Sequence, residues 1–167
     1  MVNIEQMRVH MLNYFAAEKN AGVLLIFIGL AAVIASVIVF YRIPIYRGMV
    51  IPLALVAAIQ IAAGGAVLFR SSPQAESLEA SLAAERTAFK SEELSRMDGV
   101  MRNLTLRKAV EIAMLLAGIA LTFAFKGRNF AYSLGIGLIA QPSIMLILDL
   151  FAQKRAEIYI KHLQSLL

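Results

Sequence analysis

Long apolar stretches alternate with shorter charged ones along this chain. Residues 22–41 form twenty consecutive positions without a charge, and a helix of that length crosses roughly 30 Å of hydrocarbon. Three further stretches are apolar or nearly so: residues 49–69, 109–125 and 130–152. The pattern therefore predicts four transmembrane helices.

The links between these stretches predict how the helices are arranged. Residues 42–48 join the first two spans, and Lys126, Gly127, Arg128 and Asn129 join the last two. Links this short favour antiparallel helical hairpins. The predicted fold is all-α: a polytopic membrane protein with four transmembrane helices in two antiparallel hairpins, all within one membrane domain covering residues 1–167.

Three segments lie outside the predicted spans and carry amphipathic patterns. Residues 1–21 form either a short helix on the membrane surface or an extension of the first span that packs on its neighbours. In residues 71–108, a serine cap and a proline at residues 71–73 predict a helix start, with a candidate break at residues 98–99. Residues 153–167 continue the fourth span without a helix breaker.

Composition and charge support membrane insertion and predict its orientation. Hydrophobic residues make up 60% of the chain and charged residues 16%, which is more apolar than a typical soluble domain. Of the 16 Lys and Arg residues, four lie on the two short links and twelve elsewhere. This asymmetry places both termini and the central segment in the cytoplasm. The net charge of +5 comes without a basic patch containing interleaved aromatic residues, so lipid headgroups, not nucleic acid, are the expected partners.

Residues that would support catalysis or metal binding are scarce. The chain has no cysteine, and its two histidines, His10 and His162, lie in different terminal segments without the spacing of a zinc site. Ser143 has no histidine or lysine at its depth. The sequence predicts no enzyme, no metal and no cofactor.

Two glutamines lie near the predicted membrane midplane, where polar side chains are costly and often functional. Gln60 is central in the second span and Gln141 in the fourth. Pro142 cannot donate a backbone hydrogen bond, so the carbonyl of Leu138 loses its partner. We expect Gln60 to bond either to that carbonyl or to Gln141 as structural packing. A polar conduit or ligand site is the alternative.

An ionic group is predicted closer to the cytoplasmic surface. Glu111 lies one turn inside the third span and Asp149 one turn before the end of the fourth, so antiparallel spans place them at one depth. Arg107 is spaced i,i+4 from Glu111, with Lys108 and Arg70 at the same level. Salt-bridged anchoring is expected, and this depth argues against an ion pump.

The central segment also carries a candidate partner-binding stripe. Leu78, Leu82, Phe89 and Met97 recur at helical intervals, and the stripe is longer than residues 153–167 can cover. Part of it is therefore predicted to bind another protein, although packing within a homodimer would use the same side chains. The adjacent Gly64 and Gly65 predict a flattened groove that faces lipid or a partner.

Several short runs carry a resemblance to a known group. They are residues 46–49 leading into residues 51–53, then residues 93–97, and residues 148–152 ahead of Arg155. Together they resemble small four-span inner-membrane proteins of bacteria. The resemblance implies a bacterial inner membrane and a role as the immunity partner of a secreted toxin.

Two function classes follow. In the first, the protein is not an enzyme and works by binding a protein partner, such as a membrane-acting toxin or a membrane complex. In the second, it is a small channel or transporter subunit, with Gln60 and Gln141 lining a path after oligomerisation. One polar side chain at the middle of each of these spans is less than a pore-lining helix is expected to show, which favours the first class.

Overall fold

The chain is all-helical in the computed structural model, which describes residues 2–166. This confirms the all-α part of the predicted fold. A 3-10 turn at Pro44–Met49 follows the first helix, and the only strand-like pairing among these residues is a single bridge between Val2 and Leu166. The four long helices are α1 (Ile4–Arg42), α2 (Val50–Ala84), α3 (Arg86–Ala124) and α4 (Asn129–Gln164).

Three helical segments are long and apolar enough to cross a membrane. They are Ile4–Arg42, Pro44–Ala84 and Asn129–Gln164. In α3, the last 18 helical residues contain Arg107, Lys108 and Glu111, so no uncharged stretch of that length is present. The helical length and composition are those of a membrane protein.

The amino-terminal segment is part of α1. Asn3 accepts a hydrogen bond from the backbone N–H of Gln6, and the Gln6 side chain accepts one from the backbone of Asn3. This reciprocal cap starts a helix that continues without interruption to Arg42. Of the two interpretations of this segment, the extension of the first span is the one observed.

The helix start predicted at residues 71–73 is wrong, because α2 continues through Pro73 to Ala84. Proline in a helix interior deprives the carbonyl four residues earlier of its donor. Here that carbonyl belongs to Phe69, which is 86% exposed, so another donor can reach it. Ser71 does not act as a cap; its hydroxyl donates to the carbonyl of Val67 within the same helix.

The chain reverses direction at Glu85, whose backbone is extended (φ −150°, ψ 106°). The predicted break at Asp98 and Gly99 is not observed, since α3 runs through both. Reversal at Glu85 brings Leu82 and Phe89 into one buried cluster, which a break fourteen residues later would not achieve.

The most extensive contacts join α1 to α2 and α3 to α4. Within each pair, residues later in the first helix contact residues earlier in the second, so the two helices are antiparallel. The contacts that show this are Arg8 with Glu79, Glu18 with Arg70, Gly22 with Gly64, Arg107 with Asp149, and Gly118 with Gly135.

All four helices meet in one apolar core at the end of the bundle that contains both chain termini. We call this end the head; it comprises residues 4–20, 70–84, 86–107 and 152–164, and we call the remaining part of the helices the stem. The buried core side chains of the head are Met7, Met11, Phe15, Ala75, Leu82, Phe89, Met97, Ala156, Tyr159, Leu163 and the adjoining Leu166.

The stem is packed through close backbone approach. A Cβ added to Gly64 would lie 2.5 Å from the carbonyl oxygen of Gly22, and one added to Gly118 would lie 2.8 Å from that of Gly135. Only glycine allows helices this close. Each helix pair of the stem therefore depends on its small residues, whereas the head depends on large ones.

Candidate functional site

A line of side chains at four-residue intervals runs along the buried face of α4. Gln141, Met145 and Asp149 are 1%, 8% and 5% exposed, and Gln153 extends the line into the head. Residues spaced by four share one face of a helix. The line therefore links the middle of the stem to the head, over about 18 Å.

Gln60 of α2 meets this line from across the bundle. It is fully buried, and its Nε2 donates to the sulfur of Met145 at 3.1 Å. The predicted bond to Gln141 is not formed. The Oε1 atoms of Gln60 and Gln141 are both buried without a hydrogen-bond partner among residues 2–166. Two acceptors near the predicted midplane are thus left unsatisfied, which is costly in a medium of low polarity.

The ionic group is present, but its pairing differs from the prediction. The Nε of Arg107 lies 3.3 Å from Oδ2 of Asp149, whereas the predicted i,i+4 pair with Glu111 is absent. Lys108 donates to the side-chain oxygen of Gln153. Because Arg107 reaches across to α4, Oε2 of Glu111 is buried without a hydrogen-bond partner among the described residues.

Arg70, predicted to join this group, pairs instead with Glu18 of α1 at 3.0 Å. Its position on α2 faces α1, and α3 is on the other side. The ionic groups are therefore divided between the two helix pairs.

Glu111 lines a partly open cavity of 270 Å³ between α2, α3 and α4. Its other walls are almost entirely apolar. They are formed by Val56, Ile59, Leu106, Arg107, Val110, Met114, Pro142 and Met145.

A larger cleft of 380 Å³ lies between α1 and α4, where the head meets the stem. Its charged lining residues are Glu18, Arg107, Asp149 and Arg155. Its apolar lining residues include Leu24, Leu25, Val67, Leu148 and Phe151. This combination of both charge signs with an apolar wall was not anticipated from the sequence, because the contributing residues come from all four helices.

The predicted partner-binding stripe is occupied by the chain itself. Leu82, Phe89 and Met97 are 2%, 0% and 0% exposed, and Leu78 packs against the same core. The prediction considered only residues 153–167 as a segment that could cover this stripe. The extension of α1 supplies Met7, Met11 and Phe15 as additional cover, so these side chains do not form an open docking surface.

The two adjacent glycines of α2 have different environments. Gly64 faces α1 and is buried against Gly22, whereas a Cβ on Gly65 would meet no atom within 4 Å. Gly65 therefore lies on the open side of α2. Three exposed alanines of α2 recur at four-residue intervals, Ala58, Ala62 and Ala66. Gly65 lies next to the last of them.

The head contains a buried ion pair that was not predicted from the sequence. Arg96 donates two hydrogen bonds of 2.6 Å to Glu93, whose side chain is 0% exposed. The Arg96 guanidinium also lies 5.4 Å from the ring centre of Phe15. Glu93 lies four residues after Phe89 and four residues before Met97. An acidic residue at the centre of an apolar stripe is the sequence feature that could have indicated this ion pair.

Stacked rings join α1 to α4 beside this pair. Tyr14 and Tyr159 stack at 4.6 Å, and His10 and His162 at 3.6 Å. Burial raises the pKa of Tyr14 to about 12 and also raises the pKa of Tyr159, so both hydroxyls stay protonated. The pKa of His10 is lowered, first by burial and then by the neighbouring His162.

Among residues 2–166, no three His, Cys, Asp or Glu side chains are grouped as metal ligands. No protein-family model matches the chain, and no similar protein is found among curated proteins or solved structures.

Proposed function

We propose that this chain is a four-span protein of the bacterial inner membrane that works by binding another membrane protein and is not an enzyme. Its spans form two antiparallel hairpins, and both termini and the head lie in the cytoplasm. A membrane-acting toxin, which the protein would neutralise, is the class of partner that we propose.

The outer face of α3 supports a fourth span. Leu116, Ile119 and Phe123 are 59%, 36% and 68% exposed, as expected for side chains that contact lipid. α3 also lies antiparallel to α4, one of the three helices with the length and composition of a span. An even number of spans accounts for both chain ends lying in the head.

Single cysteines test the orientation. An impermeant thiol reagent applied to intact cells should label a cysteine at Asn129 and should not label cysteines at Gln74 or Ser165. The opposite labelling pattern would invert the topology.

The open small face of α2 is the observation that carries the binding proposal. Ala58, Ala62, Gly65 and Ala66 recur along α2 between two large exposed side chains, Leu55 and Phe69. Small residues on a membrane helix permit close approach of a second helix, with van der Waals packing as the driving force. The buried stripe of the head offers no comparable surface.

Bulky substitutions on this face test the proposal. Ala62→Leu with Gly65→Leu should abolish co-purification of a membrane partner, or protection against a toxin encoded beside the gene. The matched control is Ala113→Leu with Ala117→Leu on the exposed face of α3. Retention of the partner by the α2 variant would contradict the proposal, and loss of a dimer in place of a partner would identify a second copy as the occupant.

The line of unsatisfied oxygens supports a second candidate function, a small channel or transporter subunit. Gln60, Gln141 and Glu111 place buried acceptors without donors between the midplane and the head. Protein reconstituted in vesicles would then conduct protons or cations, and Gln60→Leu or Glu111→Gln would abolish the flux. Absence of flux in the wild type would exclude this candidate.

A further inference from the structure

The cleft between α1 and α4 straddles the predicted ends of the first and fourth spans. Its lining runs from Ala17 to Leu25 on α1 and from Leu148 to Arg155 on α4. Three of its four charged residues belong to the head and Asp149 lies at the boundary, whereas Leu24 and Leu148 line its stem side. In a four-span protein, that position coincides with the headgroup layer of the bilayer.

The cationic side chains of the cleft are available to an anion. Within residues 2–166, Arg155 forms neither an ion pair nor a side-chain hydrogen bond, and Arg107 contacts Asp149 only as an ion pair at 3.3 Å through Nε. A guanidinium has five N–H donors that match phosphate oxygens. A phosphate group in the cleft would therefore find donors that the protein leaves unused.

The acidic side chains of the cleft can accept hydrogen bonds from a bound cation. Oε2 of Glu18 and Oδ2 of Asp149 are both buried without a hydrogen-bond donor among the described residues, and Asp149 is only 5% exposed. A primary ammonium carries three N–H donors. It would satisfy both oxygens, whereas a quaternary ammonium has no N–H to donate.

Apolar side chains continue the cleft toward the stem. Leu24 is 47% exposed, and Leu148, the residue before Asp149 on α4, lies on the stem side of that carboxylate. An acyl chain would cover these surfaces while its headgroup occupied the charged side.

We propose that this cleft binds one aminophospholipid, such as phosphatidylethanolamine. Its phosphate lies on Arg155 and Arg107, its primary ammonium lies between Glu18 and Asp149, and one acyl chain follows Leu24 and Leu148. The proposal rests on the four-span placement given above. A phospholipid without a cationic group would leave Oε2 of Glu18 and Oδ2 of Asp149 without a hydrogen-bond donor, so it fits less well.

Lipid retention by the purified full chain tests this site. Protein in detergent is mixed with equal amounts of phosphatidylethanolamine, phosphatidylcholine and phosphatidylglycerol, and retained lipids are counted by native mass spectrometry. The ethanolamine lipid should be retained about fivefold over the other two, since hydrogen bonds to charged groups are lost in each alternative. Equal retention of all three would overturn the proposal.

Two neighbouring cations of α4 provide matched variants. Arg155→Gln should reduce retention of the ethanolamine lipid to the level of the choline lipid, whereas Lys154→Gln, outside the cleft, should leave it unchanged. Equal effects of both variants would also overturn the proposal. Stepwise N-methylation of the lipid gives a test without any protein variant, and retention should fall with each N–H removed.

A soluble competitor distinguishes the lipid from its headgroup alone. Glycerophosphoethanolamine should not displace the lipid, because it lacks the acyl chain; displacement would show that the site takes a free headgroup. An alkaline carbonate wash separates this inference from the placement on which it rests. Release of the protein by carbonate would contradict the four spans, while an integral protein without lipid preference would contradict only the lipid site.

Discussion

The head and the stem are built from the same four helices but are held together differently. In the head, large side chains such as Met11, Phe89 and Tyr159 are almost completely buried. In the stem, the helices of each pair touch through glycines, and the gaps between pairs remain as a cleft and a cavity. The same helices thus form one cohesive bundle at one end and two looser pairs at the other.

The proposed membrane placement accounts for the contrast. If water surrounds the head, it drives apolar side chains into a shared core. If lipid surrounds the stem, that drive is absent, because an apolar side chain gains little by moving from one apolar medium to another, and close packing and polar contacts must hold the helices. The head is therefore expected to dominate stability, and the stem to carry binding sites.

The largest effect is expected in the centre of the head. Phe89→Asp places a carboxylate at a fully buried position and should lower the free energy of unfolding by about 4 kcal/mol or more. Circular dichroism during thermal unfolding in detergent measures this loss. Ser91→Asp, exposed on the same helix, is the control, and equal stability of the two variants would contradict the assigned core.

A smaller loss is expected from the buried ion pair of the head. Glu93→Gln leaves Arg96 without its carboxylate partner. Removing one member of a buried pair is strongly destabilising, but Arg96 is 23% exposed, so we expect about 2 kcal/mol. Glu92→Gln, one residue away and exposed, should have almost no effect in the same unfolding measurement. A loss as large in the control would argue against a specific pair.

In the stem, the two adjacent glycines provide an internal comparison. Gly64→Val would clash with the backbone of Gly22 and should cost about 2 kcal/mol through overpacking, while Gly65→Val should be tolerated. Resistance to unfolding by a denaturing detergent measures the difference. Equal tolerance of the two substitutions would show that the α1–α2 contact can relax. It would contradict the dependence of the stem on its small residues.

The smallest effects are expected where the head meets the stem. Asp149→Asn removes the ion pair with Arg107, whose side chain is 48% exposed, and should cost about 1 kcal/mol or less. Glu111→Gln removes a buried charge that no ion pair holds, so stability should stay the same or rise. If Glu111→Gln were the more damaging, Arg107 would be shown to serve Glu111 in the membrane.

Local patterns in the sequence were sufficient to predict the helices and much of the stem. Uncharged length predicted the helices at residues 22–41, and the burial of Gln60 and Gln141 agrees with their expected inward orientation. These features depend on the composition and spacing of one segment at a time, which a sequence shows directly.

Features that depend on two distant segments were not predicted. Arg107 has a local candidate partner, Glu111 on the same helix, and a remote one, Asp149 on α4, and only the packing of α3 on α4 shows which of the two it meets. The cover over Phe89 was likewise missed, because it comes from α1, more than seventy residues earlier. The break at Glu85 carries no glycine or proline, and the core on either side of it is what requires the chain to reverse there.

The continuity of the helices through the boundary between head and stem has a mechanical consequence. α2 alone runs without a break for 35 residues, about 52 Å, so no hinge separates its two ends. In the proposed placement, each helix pair is a continuous rod that crosses the membrane surface. Because all four helices share the core of the head, one pair cannot turn against the other without disturbing that core. The packing of the head therefore sets the spacing of the two pairs in the stem, and with it the width of the α1–α4 cleft.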